Sequence, residues 1–157
     1  TVEGGFKDCD GSNVPADCVT WSDFEFEGKK LTNFTINGEE LSSRIFVGDV
    51  TKVEAGNLGT VELRVAYRSV QTNDLAVVVR VASADQPVAI NSGNAAYRGP
   101  DKRQSQNSTY VGVEDLAADS SGTLALICTR ADIGGEVTVT VNSTDFSNTA
   151  SATLVTR

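Results

Sequence analysis

The sequence predicts an all-β protein, an antiparallel two-sheet sandwich of immunoglobulin-like architecture with about nine strands. Three observations carry that expectation. Apolar and polar residues alternate with a period of two over most of the chain. Turn-forming residues interrupt these runs every 8–12 residues or so, the spacing of a sandwich. Valine leads the apolar residues and serine and threonine the polar ones, and branched side chains fit a pleated strand better than a helix.

The strongest alternation spans Thr60–Arg68, where Val61, Leu63, Val65 and Tyr67 are expected on one face and Glu62, Arg64 and Arg68 on the other. Beyond the polar turn Gln71-Thr72-Asn73-Asp74, Leu75, Val77, Val79 and Val81 continue the pattern. A short turn forces the two runs to pair antiparallel. Val137, Val139 and Val141 mark a later strand, and Phe24 with Phe26 and Phe34 with Ile36 mark two earlier ones. Segments 44–47, 88–90, 109–113, 123–129 and 150–156 complete the set. One dry face suffices for half-polar strands, which favours an antiparallel arrangement. The only helical hint, Val113–Ala118, amounts to a turn or two.

With 157 residues, the chain suits a single domain over 1–157. Its first 19 residues hold Phe6 as the only large apolar side chain before Val14 and read as an extension pinned by a disulfide. Cys9 and Cys18 flank a loop of turn residues that lets them meet, and a bridge there contributes roughly 2–3 kcal/mol. Cys128 lies in the run Leu124-Ala125-Leu126-Ile127-Cys128, expected on the buried face with Leu124 and Leu126. The rival pairing joins Cys128 to Cys9 or Cys18. A disulfide and a chain that begins at Thr1 instead of methionine fit a mature, secreted, extracellular or cell-surface protein, though a trimmed chain would begin the same way.

The net charge of −8 argues against nucleic acid and against anionic membranes, and no run is long enough to span a bilayer. Segments 1–57, 58–110 and 111–157 carry −6, +2 and −4. Such unevenness is ordinary solvated surface or, in the sharper reading, complementary patches between copies. The chain has no histidine, so the commonest general base and the usual partner of a nucleophile are missing. A carboxylate pair is the remaining hydrolytic route; the candidates Asp23, Glu25 and Glu27, or Glu39 with Glu40, read as solvent-facing charge. No cofactor is expected. The Asp8-Cys9-Asp10-Gly11-Ser12-Asn13 segment is superficially like a calcium loop, yet its glycine is two places early and no glutamate closes it, so an Asx-rich turn is the plainer reading.

The sequence therefore predicts a non-catalytic extracellular structural subunit or adhesive module of a filament, surface layer or virion exterior. Its partners would be copies of itself or another surface protein, held through sheet edges and chain termini, with Leu154 and Val155 of the C-terminal run as assembly candidates. The alternative is a monomeric carbohydrate- or peptide-binding module contacting its ligand through Trp21, Tyr97 or Tyr110. Trp21 is expected on the opposite strand face from Phe24 and Phe26. Asn33, Asn107 and Asn142 head Asn-x-Ser/Thr triplets and are glycosylation candidates.

Overall fold

The computed structural model describes residues 6–9, 18–48, 52–105 and 109–156. Its strands are β1 (Phe6–Cys9), β2 (Cys18–Glu27), β3 (Lys30–Ile36), β4 (Glu39–Glu40), β5 (Ile45–Val47), β6 (Lys52–Ala55), β7 (Gly59–Arg68) and β8 (Leu75–Ser83). They continue with β9 (Val88–Ile90), β10 (Ala96–Arg98), β11 (Thr109–Gly112), β12 (Asp115–Leu116), β13 (Ser121–Cys128), β14 (Glu136–Ser143) and β15 (Thr149–Val155). The protein is all-β, with several antiparallel sheets; the only helical segments among the described residues are single 3₁₀ turns at Leu41–Ser43 and Ser92–Asn94. The helical hint at 113–118 is instead extended chain, because Asp115 and Leu116 pair with Ala89 and Val88 of β9.

The described residues form three sheets. The first runs β1-β2-β3-β4, so residues expected as an N-terminal extension supply β1 and the start of β2. The second runs β11-β13-β8-β7, and β5 and β6 lie end to end along the outer side of β7. In the third, β14 is central. Strand β15 follows one side of it, β9 and β10 share the other side, and β12 extends β9. Because several edges are built from such short pieces, the described residues hold fifteen strand segments where the turn spacing gave about nine.

One buried cluster draws on the second and third sheets together. Val77, Val79 and Val81 of β8 and Leu124, Leu126 and Cys128 of β13 contribute from one side, and Val137, Val139 and Val141 of β14 from the other. Cys128 thus lies on the expected face. Each side chain of this kind stabilises by about 1.5–3 kcal/mol when fully withdrawn from water. No described side chain of the first sheet belongs to this cluster.

Two bulges overturn the predicted faces. In β7 the pairing with β8 shifts between Leu63 and Val65, with Arg64 the extra residue. Val61 and Leu63 enter the core as expected, but Val65 and Tyr67 turn outward and Ala66 takes the inward place. In β2 the pairing slips around Asp23, whose φ of 54° is left-handed. Trp21 and Phe24 then reach the same partner: their rings lie 5.5 Å and 6.0 Å from that of Phe34. The regular alternation that separated Trp21 from Phe24 does not hold across this bulge.

Candidate functional site

The outer face of the second sheet is apolar where an antiparallel sheet ordinarily turns polar residues to water. Register aligns two rows across all five strand positions. Val47, Val65, Val78, Ala125 and Val111 form one; Ile45, Tyr67, Ala76, Ile127 and Thr109 form the other. At the two edges, Val47 and Val111 are 71% and 65% exposed. A third row, Lys52, Glu62, Arg80 and Thr123, is polar and bounds the patch on one side. The salt bridge between Arg64 and Glu62 closes that border.

At the other end of this face lies a cavity of about 600 Å³. Ile45, Tyr67, Ala76 and Ile127 provide its apolar wall, Ile36 of β3 faces them, and the β7–β8 turn forms the rim. The Ser69 hydroxyl shapes that turn by accepting the N–H groups of Gln71 and Thr72, both at 3.2 Å, while Asn73 adopts a left-handed φ of 62°. Arg44 and Arg68 also line the cavity. The Arg44 side chain, 6% exposed, donates to Glu39 Oε2 at 2.6 Å, to the Ser69 carbonyl at 3.0 Å and to Asn73 Oδ1 at 3.4 Å. Among the described residues Arg68, 16% exposed, pairs with Glu39 at 3.9 Å and Asp132 at 3.8 Å, and its Nε has no hydrogen-bond partner.

The residues singled out in the sequence do not converge on this place. Tyr97 is fully buried in the core, so it cannot be the surface ligand contact expected of it. Its hydroxyl donates to the Asp132 carbonyl at 2.6 Å and accepts the Gly135 N–H at 2.9 Å, with Thr156 Oγ1 at 3.1 Å. Burial pushes its pKa above the ordinary tyrosine value, against the opposing pull of these hydrogen bonds. Trp21 is half-buried in the first sheet, and Tyr110 is exposed on edge strand β11, on the side opposite the apolar rows. Leu154 is only 4% exposed and belongs to the core, because β15 is already paired along its length with β14. It is thus not available to a neighbour as an assembly contact, whereas Val155 is partly exposed.

Of the glycosylation candidates, Asn142 is 4% exposed and its Oδ1 accepts the Thr149 hydroxyl at 2.8 Å, which excludes a glycan on the folded chain. Val141, Asn142 and Ser143 are all buried at the end of β14, so Asn142 does not turn to solvent as a glycan acceptor must. Asn33 is half-buried on β3, and Asn107 falls outside the described residues, as do residues 10–13 of the segment that resembles a calcium loop. Cys9 and Cys18 are directly opposed in the β1–β2 register.

The candidate carboxylates are scattered. Asp23 accepts the Thr35 and Ser22 hydroxyls at 2.8 Å and 2.9 Å, and these bonds, Thr35 first, hold its pKa below the usual value. Glu39 is engaged by Arg44, and Glu40 accepts from Ser42. The strongest depression is at Asp145, down to about 2, where the Ser143 and Ser147 hydroxyls both donate to the carboxylate. A carboxylate held ionised in this way is poorly matched to proton transfer near neutral pH. No group of three or more metal-ligating side chains occurs among the described residues, and no described helix is long and apolar enough to cross a membrane.

What the sequence reading missed is the outer face itself, together with Arg44 and Arg68. A signal for the face was present. Leu75-Ala76-Val77-Val78-Val79 and Leu124–Cys128 are continuous apolar runs, the pattern of a strand dry on both faces.

Fold and site together define an all-β protein of several antiparallel sheets with an apolar outer sheet face. No protein-family model matches the chain, and no curated protein or solved structure does either.

Proposed function

We propose that this chain is a non-catalytic extracellular structural subunit or adhesive module, built on an immunoglobulin-like sandwich of the second and third sheets, that associates with copies of itself. The observation that carries this reading is the pair of apolar rows on the outer face of the second sheet, above all Val47 and Val111 at its edges. Five strands at roughly 4.8 Å spacing and two rows roughly 7 Å apart span on the order of 300 Å². The largest apolar patch on a typical monomer is about 300–600 Å² and is often functional. The contact is below the roughly 800 Å² per partner of a stable pairwise complex, so it suits a repeated, weak contact in an assembly. The sheet face is preferred to the C-terminal strand as the proposed contact, since Ala152 and Leu154 of that strand are buried in the chain's own core.

Sedimentation velocity from about 10 μM to 1 mM, with negative-stain electron microscopy, tests this reading. The average mass should rise with concentration, and Val47→Asp with Val111→Asp should abolish the rise while leaving the fold intact, because both residues are exposed edge positions. A monodisperse monomer over the whole range would overturn it.

The extracellular part of the proposal rests on Cys9 and Cys18. Opposed residues in an antiparallel pair have Cα atoms about 4.5–5.5 Å apart, inside the window a disulfide requires. Alkylation of the unfolded, unreduced protein from an oxidising expression host should label one thiol of three, at Cys128, and all three after reduction. Labelling of Cys9 and Cys18 without reductant would remove the disulfide and this support for secretion.

A further inference from the structure

The cavity between β3, β5 and the β7–β8 turn carries an unused recognition group. Arg68 is withdrawn from water over most of its side chain, yet its buried Nε has no hydrogen-bond partner among the described residues, and the two carboxylates that pair with its Nη1, Glu39 and Asp132, stand beyond hydrogen-bond distance. Mostly buried charges are ordinarily paired and hydrogen-bonded, since desolvation costs several kcal/mol per ion. Neighbouring groups cannot supply the missing acceptor. Glu39 is engaged by Arg44 at 2.6 Å, Asp74 accepts the Arg130 N–H at 3.1 Å, and Asp132 is mostly solvated. The Arg44 Nε is likewise without a partner, but its terminal nitrogens have three acceptors and hold the β7–β8 turn against the start of β5.

Beside Arg68 the wall is apolar. Ile45, Tyr67, Ala76 and Ile127 stand in one cross-strand row, with Ile36 opposite. A volume of about 600 Å³ lies within the range that holds a small organic molecule. We propose that this cavity is a binding site for a small molecule bearing a carboxylate on an apolar or aromatic body. The carboxylate would pair with the Arg68 guanidinium and the body would lie on Ile45, Tyr67 and Ile127. A carboxylate matches the planar fork of a guanidinium better than any neutral acceptor does, and the bond strengthens where water is excluded. This inference shares the row Ile45, Tyr67, Ala76 and Ile127 with the proposed self-association face, but Val47 and Val111, which the self-association test alters, do not line the cavity.

The test uses 3-phenylpropionate and its neutral amide, 3-phenylpropionamide, titrated into the full chain and followed by amide and arginine Nε NMR shifts. The acid should bind saturably with a Kd on the order of 0.1–1 mM, as expected for so small a ligand. Shifts should centre on Tyr67, Arg68, Ser69 and Ile127. The amide should bind at least about 10-fold more weakly, since hydrogen bonds to charged groups contribute about 1.5–3 kcal/mol. Arg68→Gln should bring the acid down to the affinity of the amide. Should that variant not fold, the acid–amide difference in the wild type decides by itself. Equal affinity of acid and amide, or no saturable shift up to about 10 mM, would overturn the proposal. The Val47→Asp/Val111→Asp variant should bind the acid as the wild type does, so failure of self-association and failure of this site are read separately.

Discussion

Tyr97→Ala is expected to destabilise the protein by about 4 kcal/mol or more, enough to unfold much of a domain of ordinary stability. Two losses combine. The ring is fully buried among core residues of the third sheet, and removing such a ring leaves a cavity that costs about 3–5 kcal/mol. The hydroxyl is the joint between three segments: the β13–β14 connection through the Asp132 carbonyl and the Gly135 N–H, the C-terminal segment through Thr156, and β10 itself. Tyr97→Phe isolates this second loss. It leaves the Gly135 N–H without its acceptor, for about 1–3 kcal/mol. Urea denaturation of the two variants separates ring from hydroxyl, and amide exchange at Gly135 should accelerate in both. A Tyr97→Phe variant within about 0.5 kcal/mol of wild type would show that the hydroxyl holds nothing.

The same residue makes stability depend on alkaline pH. Its folded-state pKa is raised above the reference value of 10.0, so the folded chain holds this proton more tightly than the unfolded chain. The resulting stability is fully present below pH 10 and is lost as pH rises through the folded value. In Tyr97→Phe this component of the alkaline loss should vanish.

The fold was legible from sequence where strands are regular and failed where one residue is inserted. The core positions Val77, Val79 and Val81, Leu124 and Leu126, and Val137, Val139 and Val141 follow directly from period two. Past Leu63 in β7 a bulge moves every later side chain to the other face, and in β2 the register with β3 shifts past Ser22 and again past Glu25, and alternation alone carries no mark of either. Tyr97 misled for a different reason. An aromatic beside a polar loop looks exposed until long-range contacts at Asp132, Gly135 and Thr156 are known. Asn142 misled because the end of β14 is covered on both faces. The candidate site was the least legible part. Arg44 and Arg68 meet through a backbone bond from the Arg68 N–H to the Arg44 carbonyl, and no local pattern joins two arginines so far apart in the chain.

Gly48→Ala is the second substitution with a large expected effect, about 3 kcal/mol of destabilisation. Gly48 follows β5 and donates its N–H to the Arg64 carbonyl at 3.0 Å, at the extra residue of the β7 bulge. A Cβ built on it would lie 1.9 Å from the Leu63 carbonyl oxygen and 2.7 Å from the carbonyl carbon. Both are backbone atoms, so relief requires the two chains to separate, and the hydrogen bond to Arg64 would lengthen as they do. The bulge is also what turns Val65 and Tyr67 outward. Any relaxation there disturbs the apolar rows and the cavity wall at once, so self-association and carboxylate binding should both weaken in this variant. Gly93→Ala is the control, because the nearest atom to a Cβ at that position is 3.9 Å away. Denaturant midpoints should place Gly93→Ala with the wild type and Gly48→Ala well below. Equal midpoints for the two variants would mean that the close approach at Leu63 places no demand on the side chain at position 48, and that glycine there is not what permits the bulge.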